Sequence, residues 1–366
     1  MTLRNIIIER IKKEGPIPFR DFMDMSLYYP GIGYYNSPHD KIGISGDYYT
    51  SPYATPLFGE IIAGQMEEMW HALDKPAFTI VEYGAGSGIL CQDILHALKA
   101  NTEMYDRLNY YIIEASPYMR DKEQHTLSEK VHWTSTIGNI PSITGCVLSN
   151  EVVDNFPVHL VVMQEELMEV FVDHQNDFTE ILRPATPTLK DYLKELNINL
   201  PPGYRTEINL HALEWIKQVG AALNKGFVMT FDYGNTSSNL YSESKRAGTL
   251  ACYHQHHLDY SPYNNIGEQD ITAHVNFSAL QHWGRQEGLE YCGFTYQSYF
   301  LRALGLVNRL KKIETSGKND PTSEKERTFF LHTFLTDMGN KFKVLIQHKG
   351  IRQPRLSGLA FAQPLA

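Results

Sequence analysis

Val81-Glu82-Tyr83-Gly84-Ala85-Gly86-Ser87-Gly88 decides the fold, because an apolar run, 78–83, passes straight into alternating glycines and then into helical spacing. A strand that turns into a helix through glycines lets the backbone approach a ligand with no side chain between them. The spacing is Glu-x-Gly-x-Gly-x-Gly. A dinucleotide fingerprint needs Gly-x-Gly-x-x-Gly, and Ile89 stands where its third glycine would be. No Lys-Ser or Lys-Thr follows, which excludes a Walker loop.

Outward from this loop, short apolar runs alternate with helical stretches. Strands are expected at 78–83, 108–114, 131–133, 146–149 and 227–231, with helices at 57–73, 88–100 and from the second strand through about 127. Such alternation implies a mainly parallel sheet covered on both faces. Two last strands, 291–296 and 342–347, are read as antiparallel additions, and the charged stretch 311–327 between them as a solvated loop or helix start. The segment 16–56, rich in Gly, Pro, Tyr and Ser, reads as an ordered loop or cap more than regular structure. Between the fourth and fifth strands the chain is too long for a simple crossover. Strands over 159–182 broken by a turn at 174–177, and helices at 189–196 and 210–223, make an insertion covering the active-site side. The expected organisation is a cap at 1–75, a first part of the sheet domain at 76–157, the insertion at 158–225 and the second part at 226–366.

A chain of 366 residues with 42% hydrophobic and 20% charged residues is an ordinary globular composition, not a disordered one. No apolar stretch reaches the length of a membrane span, so no membrane insertion is expected. The first fifteen residues form an amphipathic helix without the apolar core or cleavage site of a secretory signal, and the chain is read as cytoplasmic. Cys91, Cys146, Cys252 and Cys292 are scattered, so neither a disulfide framework nor a zinc site is expected. The run His254-Gln255-His256-His257 lacks a carboxylate or Cys partner at ligand spacing, and no metal is assigned to it. A net charge of −9 argues against a nucleic-acid partner and is compatible with a cationic substrate.

The loop chemistry suits S-adenosylmethionine, which has an amino-acid head and no phosphates. Glu82 before the glycines can hold its ammonium group, with Gly84, Ala85, Gly86 and Gly88 as the bare backbone beneath it. Glu114, at the end of the second strand, is placed to take both ribose hydroxyls. The fourth strand runs into Ser149-Asn150-Glu151-Val152-Val153-Asp154-Asn155, which puts Asn150 and Glu151 beside the cofactor. Glu151 and Asp154, three apart, share a face if the turn is helical and could grip a guanidinium by paired hydrogen bonds or accept its proton. The alternative for Asp154 and Asn155 is helix capping. Asp232-Tyr233-Gly234 closes the fifth strand at the same rim. The stretch 267–277 reads as one short polar loop in which His274 is a further catalytic candidate, against a structural histidine.

These motifs resemble the MidA-like methyltransferases, a family that includes a mitochondrial complex I assembly factor methylating a protein arginine. The resemblance runs through Ile17-Pro18-Phe19, Tyr28-Tyr29-Pro30-Gly31-Ile32-Gly33-Tyr34-Tyr35 and Gly46-Asp47-Tyr48-Tyr49-Thr50-Ser51-Pro52. It continues in Phe58-Gly59-Glu60, the glycine loop, Glu114-Ala115-Ser116-Pro117, Ser149-Asn150-Glu151, Asp154 with Pro157-Val158, and Asp232-Tyr233-Gly234. Gly248-Thr249-Leu250, Asp270 through Leu280, and Met338-Gly339 with Phe342-Lys343-Val344-Leu345 complete it. The family often has Pro and Arg where this chain has Ala85 and Ser87, and a small residue at Asn155. The resemblance implies a doubly wound, Rossmann-like α/β fold and an S-adenosylmethionine cofactor held by Gly84, Gly86, Gly88 and Glu114. It further implies that 46–52, with Tyr49 and Thr50, closes over the cofactor, and that an arginine-bearing protein is the substrate. The competing expectations are a small-molecule methyltransferase and a cofactor-binding assembly chaperone without turnover.

Overall fold

The computed structural model describes residues 1–38, 55–127, 130–255, 257–316 and 338–365. Its central sheet is built around β2 (Phe78–Tyr83), whose alternate residues serve two cores. Phe78 and Ile80 pack against α3 (Leu57–Ala72) and α4 (Ile89–Leu98), while Val81 points to the opposite face. Period-two alternation with both faces apolar is what a strand covered on both sides requires.

The parallel part of the sheet consists of β4 (Val131–Thr134), β3 (Leu108–Ile113), β2, β5 (Ile143–Asn150) and β10 (Leu223–Asn235), in that spatial order. β16 (Phe342–Lys349) and β15 (Glu290–Tyr296) add on antiparallel, as expected. The chain leaves β2 for β3 on one side and reaches β5 on the other. The crevice of a doubly wound sheet opens where the strand order reverses in this way, at the carboxyl end of β2.

A second sheet joins β1 (Ile17–Pro18) to β7 (Leu167–His174), β6 (His159–Met163) and β9 (Arg205–Ile208), with β8 (Phe178–Pro184) on the free side of β7. β1 lies antiparallel on β7, so the start of the chain and the long connection between β5 and β10 share one sheet. That connection also carries α6 (Pro187–Glu195) and α7 (Leu210–Ala222). A third small sheet holds β11 (Ala251–His254), β12 (His257–Asp259) and β13 (Asp270–Thr272).

Two expectations need correction. The segment 16–56 is not a loop throughout: α2 spans Phe19–Tyr28, after α1 (Leu3–Glu14). Phe19, Phe22, Met23 and Leu27 recur at helical spacing and are fully buried, each contributing about 1.5–3 kcal/mol by leaving water. The stretch 267–277 is likewise not a single loop. It forms β13 and β14 (Val275–Asn276), then enters α8 (Phe277–Gln286), whose first turn Asn276 caps by accepting the Ala279 N–H at 3.2 Å. β14 pairs parallel with the end of β10, so backbone pairing absorbs a stretch whose side chains look loop-like. Between β15 and β16, α9 covers Leu306–Ser316, and α5 (Pro117–Thr126) follows β3.

Candidate active site

At the end of β2, Gly84, Gly86 and Gly88 take φ of +60°, +60° and +78°, a left-handed region that favours glycine. A Cβ at Gly84 would stand 3.1 Å from a Val152 methyl, and one at Gly88 would stand 3.0 Å from Leu127. The loop is fixed by the Gly84 N–H on the Ile113 carbonyl and the Gly88 N–H on that of Ala85, both at 2.9 Å. Across it, the Glu114 carboxylate accepts the Ser116 N–H at 2.7 Å and further backbone N–H groups of Ala115 and Gly86. Glu114 thus ties the end of β3 to the glycine loop. Burial pushes its carboxyl up to about 7 in spite of those donors. Glu82 lies deeper, 2% exposed, with the Tyr110 hydroxyl donating to it at 2.7 Å; burial raises it also to about 7.

The turn after β5 is held by Asp232. One oxygen of this fully buried carboxylate accepts the N–H groups of Val152, Val153 and Asp154 at 3.3, 2.9 and 3.3 Å, and the other that of Tyr233 at 2.9 Å. The chain enters the turn through Glu151 at φ +58°, a conformation costing a side-chain-bearing residue ~1–2 kcal/mol. The strain turns the chain sharply enough for three consecutive N–H groups to reach one carboxylate. It also leaves Glu151 and Asp154 facing the same cavity. Asp154 is 3% exposed, and burial, then the charges of Asp232, Asp270 and Glu151, raise its carboxyl well above the usual range.

The opposite wall comes from the start of the chain. Tyr28 and Tyr35 stack with ring centres 5.5 Å apart. The Tyr28 hydroxyl donates to the Asn155 carbonyl at 3.2 Å and the Tyr35 hydroxyl to Asp270 at 2.8 Å, while the Asn155 amide donates to Tyr35 and Asp270. Ser116 Oγ donates to the Tyr35 carbonyl at 2.9 Å, pinning this wall to the end of β3. None of Tyr28, Tyr35, Asn36 or Asp270 was singled out from sequence as a site residue. The paired tyrosines were the available signal.

These walls enclose a cavity of about 590 Å³, within the usual range for a small-ligand site. Its lining brings together Glu82, Gly84, Ala85, Gly86, Glu114, Asn150, Glu151 and Asp154 of the expected set. Gly88 sits just behind, capping α4. Tyr49 and Thr50, with the rest of 46–52, lie outside the described residues. His274 stands elsewhere: it is exposed, lines a separate small cleft with Thr249 and Asn276, and its N–H donates to Thr249 Oγ1 at 3.0 Å.

The donor set tests which ligand fits. Among the described residues the lining carries the carboxylates of Asp24, Glu82, Glu114, Glu151, Asp154 and Asp270, and no lysine or arginine. Asn36 Oδ1, Asn150 Oδ1 and Asp154 Oδ1 are buried acceptors with no hydrogen-bond partner among the described residues. Acceptors left without donors cost roughly 1–3 kcal/mol each, and a donor-rich cation removes that cost. A sulfonium nucleoside with an ammonium group and two sugar hydroxyls fits this donor set: Glu114 would accept the hydroxyls, Gly84 to Gly88 would offer bare backbone, and Glu82 and Asn150 would take the cationic head.

Comparison with known proteins agrees with this fit. Residues 61–295 match the family model described as "Putative S-adenosyl-L-methionine-dependent methyltransferase". The mitochondrial protein arginine methyltransferase NDUFAF7 homolog of Drosophila melanogaster is 25% identical, over 93% of this chain and 84% of its own. The mitochondrial protein arginine methyltransferase NDUFAF7 of Homo sapiens is 24% identical, over 87% and 77%. A Burkholderia thailandensis protein crystallised with S-adenosyl-homocysteine superposes with a TM-score of 0.89 at 30% identity, covering 99% of this chain and 95% of that one. The cytoplasmic expectation is overturned by the NDUFAF7 relatives, which are named as mitochondrial; charge and hydropathy do not encode compartment. No helix among the described residues is long and apolar enough to cross a membrane.

Proposed function

We propose, from the premise that the chain belongs to this family of S-adenosyl-L-methionine-dependent methyltransferases, that its acceptor is an arginine guanidinium nitrogen of a partner protein. When bound, the cofactor supplies an electrophilic methyl on a cationic sulfur. Glu114 and the loop from Gly84 to Gly88 hold the nucleoside, and Glu82 with Asn150 the amino-acid head. Asp154 and Glu151 receive the acceptor: the unpartnered Asp154 Oδ1 takes a guanidinium N–H, orients the nitrogen, and is at hand for the proton that nitrogen sheds. Burial and the neighbouring carboxylates raise the affinity of this group for a proton, which suits the last of these roles.

The observation that carries this reading is a lining with six carboxylates, no lysine or arginine among the described residues, and three unpartnered acceptors. A guanidinium offers five N–H donors and a permanent charge. The cavity also has exposed residues at its edge, Ser135, His211 and Gln218, and such an opening favours a side chain reaching in from a polypeptide over a fully enclosed small molecule. Mass spectrometry of the host proteome with and without the gene tests it. One arginine that loses methylation with the gene is expected; an unchanged arginine methylome contradicts it.

A further inference from the structure

Lining residues of α2 and α7 reach the solvent edge of the cavity, here called its mouth, and the two sides differ in kind. On α2, Asp21 is fully engaged, accepting from Arg10 at 2.6 Å and Arg20 at 2.8 Å. Asp24, one turn on, lines the cavity and is only partly exposed, yet has neither a hydrogen bond nor an ion pair among the described residues. Arg20 hydrogen-bonds to Asp21, and only its charge acts on Asp24. Tyr28 follows at i+4 on the same face, so Asp24 is continuous with the wall built from Tyr28 and Tyr35.

On α7, His211, Trp215 and Gln218 line the cavity at i, i+4 and i+7. His211 and Gln218 are exposed whereas Trp215 is 4% exposed, so the stripe meets solvent at both ends and is buried in its middle. The His211 ring stacks on Phe156 at 4.5 Å and 23°; Phe156 meets Trp215 edge-on at 6.1 Å, and Trp215 meets Tyr83 at 5.7 Å. An unpaired carboxylate facing a ladder of rings is the pairing that receives a planar cation on an apolar stem. Farther in, Asp154 Oδ1 remains without a donor, a second point of attraction at the end of the same path.

We infer that Asp24 is a substrate-binding, specificity-determining residue, which with the Phe156–His211 pair guides an arginine-bearing segment through the mouth toward Asp154. The inference rests on the arginine reading above. It assigns a task to α2, which lies outside the matched residues 61–295 and belongs to the part of the chain that closes the cavity from the other side.

Steady-state methylation of a synthetic glycine-arginine peptide, with the same peptide carrying lysine in place of arginine alongside, provides the test. Asp24→Asn is expected to raise KM for the arginine peptide about 10- to 100-fold, the loss of one charge-assisted contact, while kcat changes far less. Asp24→Glu should recover part of the loss, and the affinity for S-adenosyl-L-homocysteine should match wild type in both variants, which also reports folding. An unchanged KM in Asp24→Asn overturns the role of Asp24 and leaves the arginine reading standing. A wild-type protein that labels neither peptide nor any arginine polypeptide overturns the arginine reading itself, and Asp24's role falls with it. Equal KM for the arginine and lysine peptides overturns the specificity assigned to this mouth.

Discussion

Glu114→Gln is the perturbation whose size follows most directly from the geometry. The side chain keeps its volume, so packing at the end of β3 is preserved. In the native protein the carboxylate accepts the Ser116 N–H at 2.7 Å and further N–H groups of Ala115 and Gly86, and faces the cavity with its remaining acceptor capacity. A carboxamide turns one of the two oxygens into a donor. Either a ligand hydroxyl loses its acceptor or a backbone N–H is left facing an N–H. A hydrogen bond to an ionised group is worth ~1.5–3 kcal/mol. Burial places this carboxyl at about 7, so at pH 7 about half the empty sites carry a proton, which subtracts only ~0.4 kcal/mol. The expected loss is ~1–2.5 kcal/mol, or about 5- to 70-fold in Kd for S-adenosyl-L-homocysteine at pH 7.

The sign of the pH effect follows from the same shift. The ligand's hydroxyls need the deprotonated carboxylate, so binding strengthens as pH rises through the folded pKa. Between pH 6 and 8 the ionised fraction of such a group grows about tenfold, and the wild-type Kd should fall about tenfold. Glu82, also raised to about 7 by burial, adds to the slope in the same direction. Isothermal titration calorimetry at pH 6, 7 and 8 measures all of this. The variant should bind weakly with a shallower slope, because only the Glu82 contribution remains. A Glu114→Gln protein that binds within about threefold of wild type, or keeps the full slope, refutes the argument.

Two other outcomes are expected. Gly84→Val places a β-branched residue at φ +60° with its Cβ 3.1 Å from Val152 and its methyls toward the ligand surface, so calorimetry should show S-adenosyl-L-homocysteine affinity lowered by at least about 100-fold. Asp154→Asn removes the proton acceptor but keeps the turn held by Asp232; single-turnover assays should show methyl transfer about 10²- to 10⁴-fold slower with cofactor affinity within about threefold of wild type.

How much of this was legible beforehand differs between the sheet and the site. The glycine loop, the five parallel strands and the two antiparallel additions were readable because apolar period and glycine position are local signals. α2 was not, since Phe19, Phe22, Met23 and Leu27 sit in a segment crowded with Gly, Pro and Tyr-Tyr pairs that read as turns. β9 escaped for a different reason: Arg-Thr-Glu-Ile has only one strongly apolar residue, and it is a strand because β6 pairs with it. In the cavity lining, Glu82, Glu114, Asn150, Glu151 and Asp154 were legible because each lies at or just beyond the carboxyl end of a strand. Tyr28, Tyr35 and Asp270 are held at the cavity by contacts spanning more than a hundred residues, such as Tyr35 to Asp270, and no local pattern encodes those. Asp232 was noticed at the rim, yet its grip on three backbone N–H groups, which explains the strained Glu151, depends on β10 lying beside β5. His274 shows the converse: a reactive side chain in a suggestive stretch that the folded chain turns toward another cleft.

A crystal structure of the protein with S-adenosyl-L-homocysteine and an arginine-bearing peptide would put the acidic cavity to its hardest trial. The guanidinium should lie between Glu151 and Asp154, with one nitrogen turned toward the cofactor's sulfur and its N–H groups on Asp154. A peptide bound outside the cavity, or an arginine pointing away from those two carboxylates with the cofactor in place, would contradict the account.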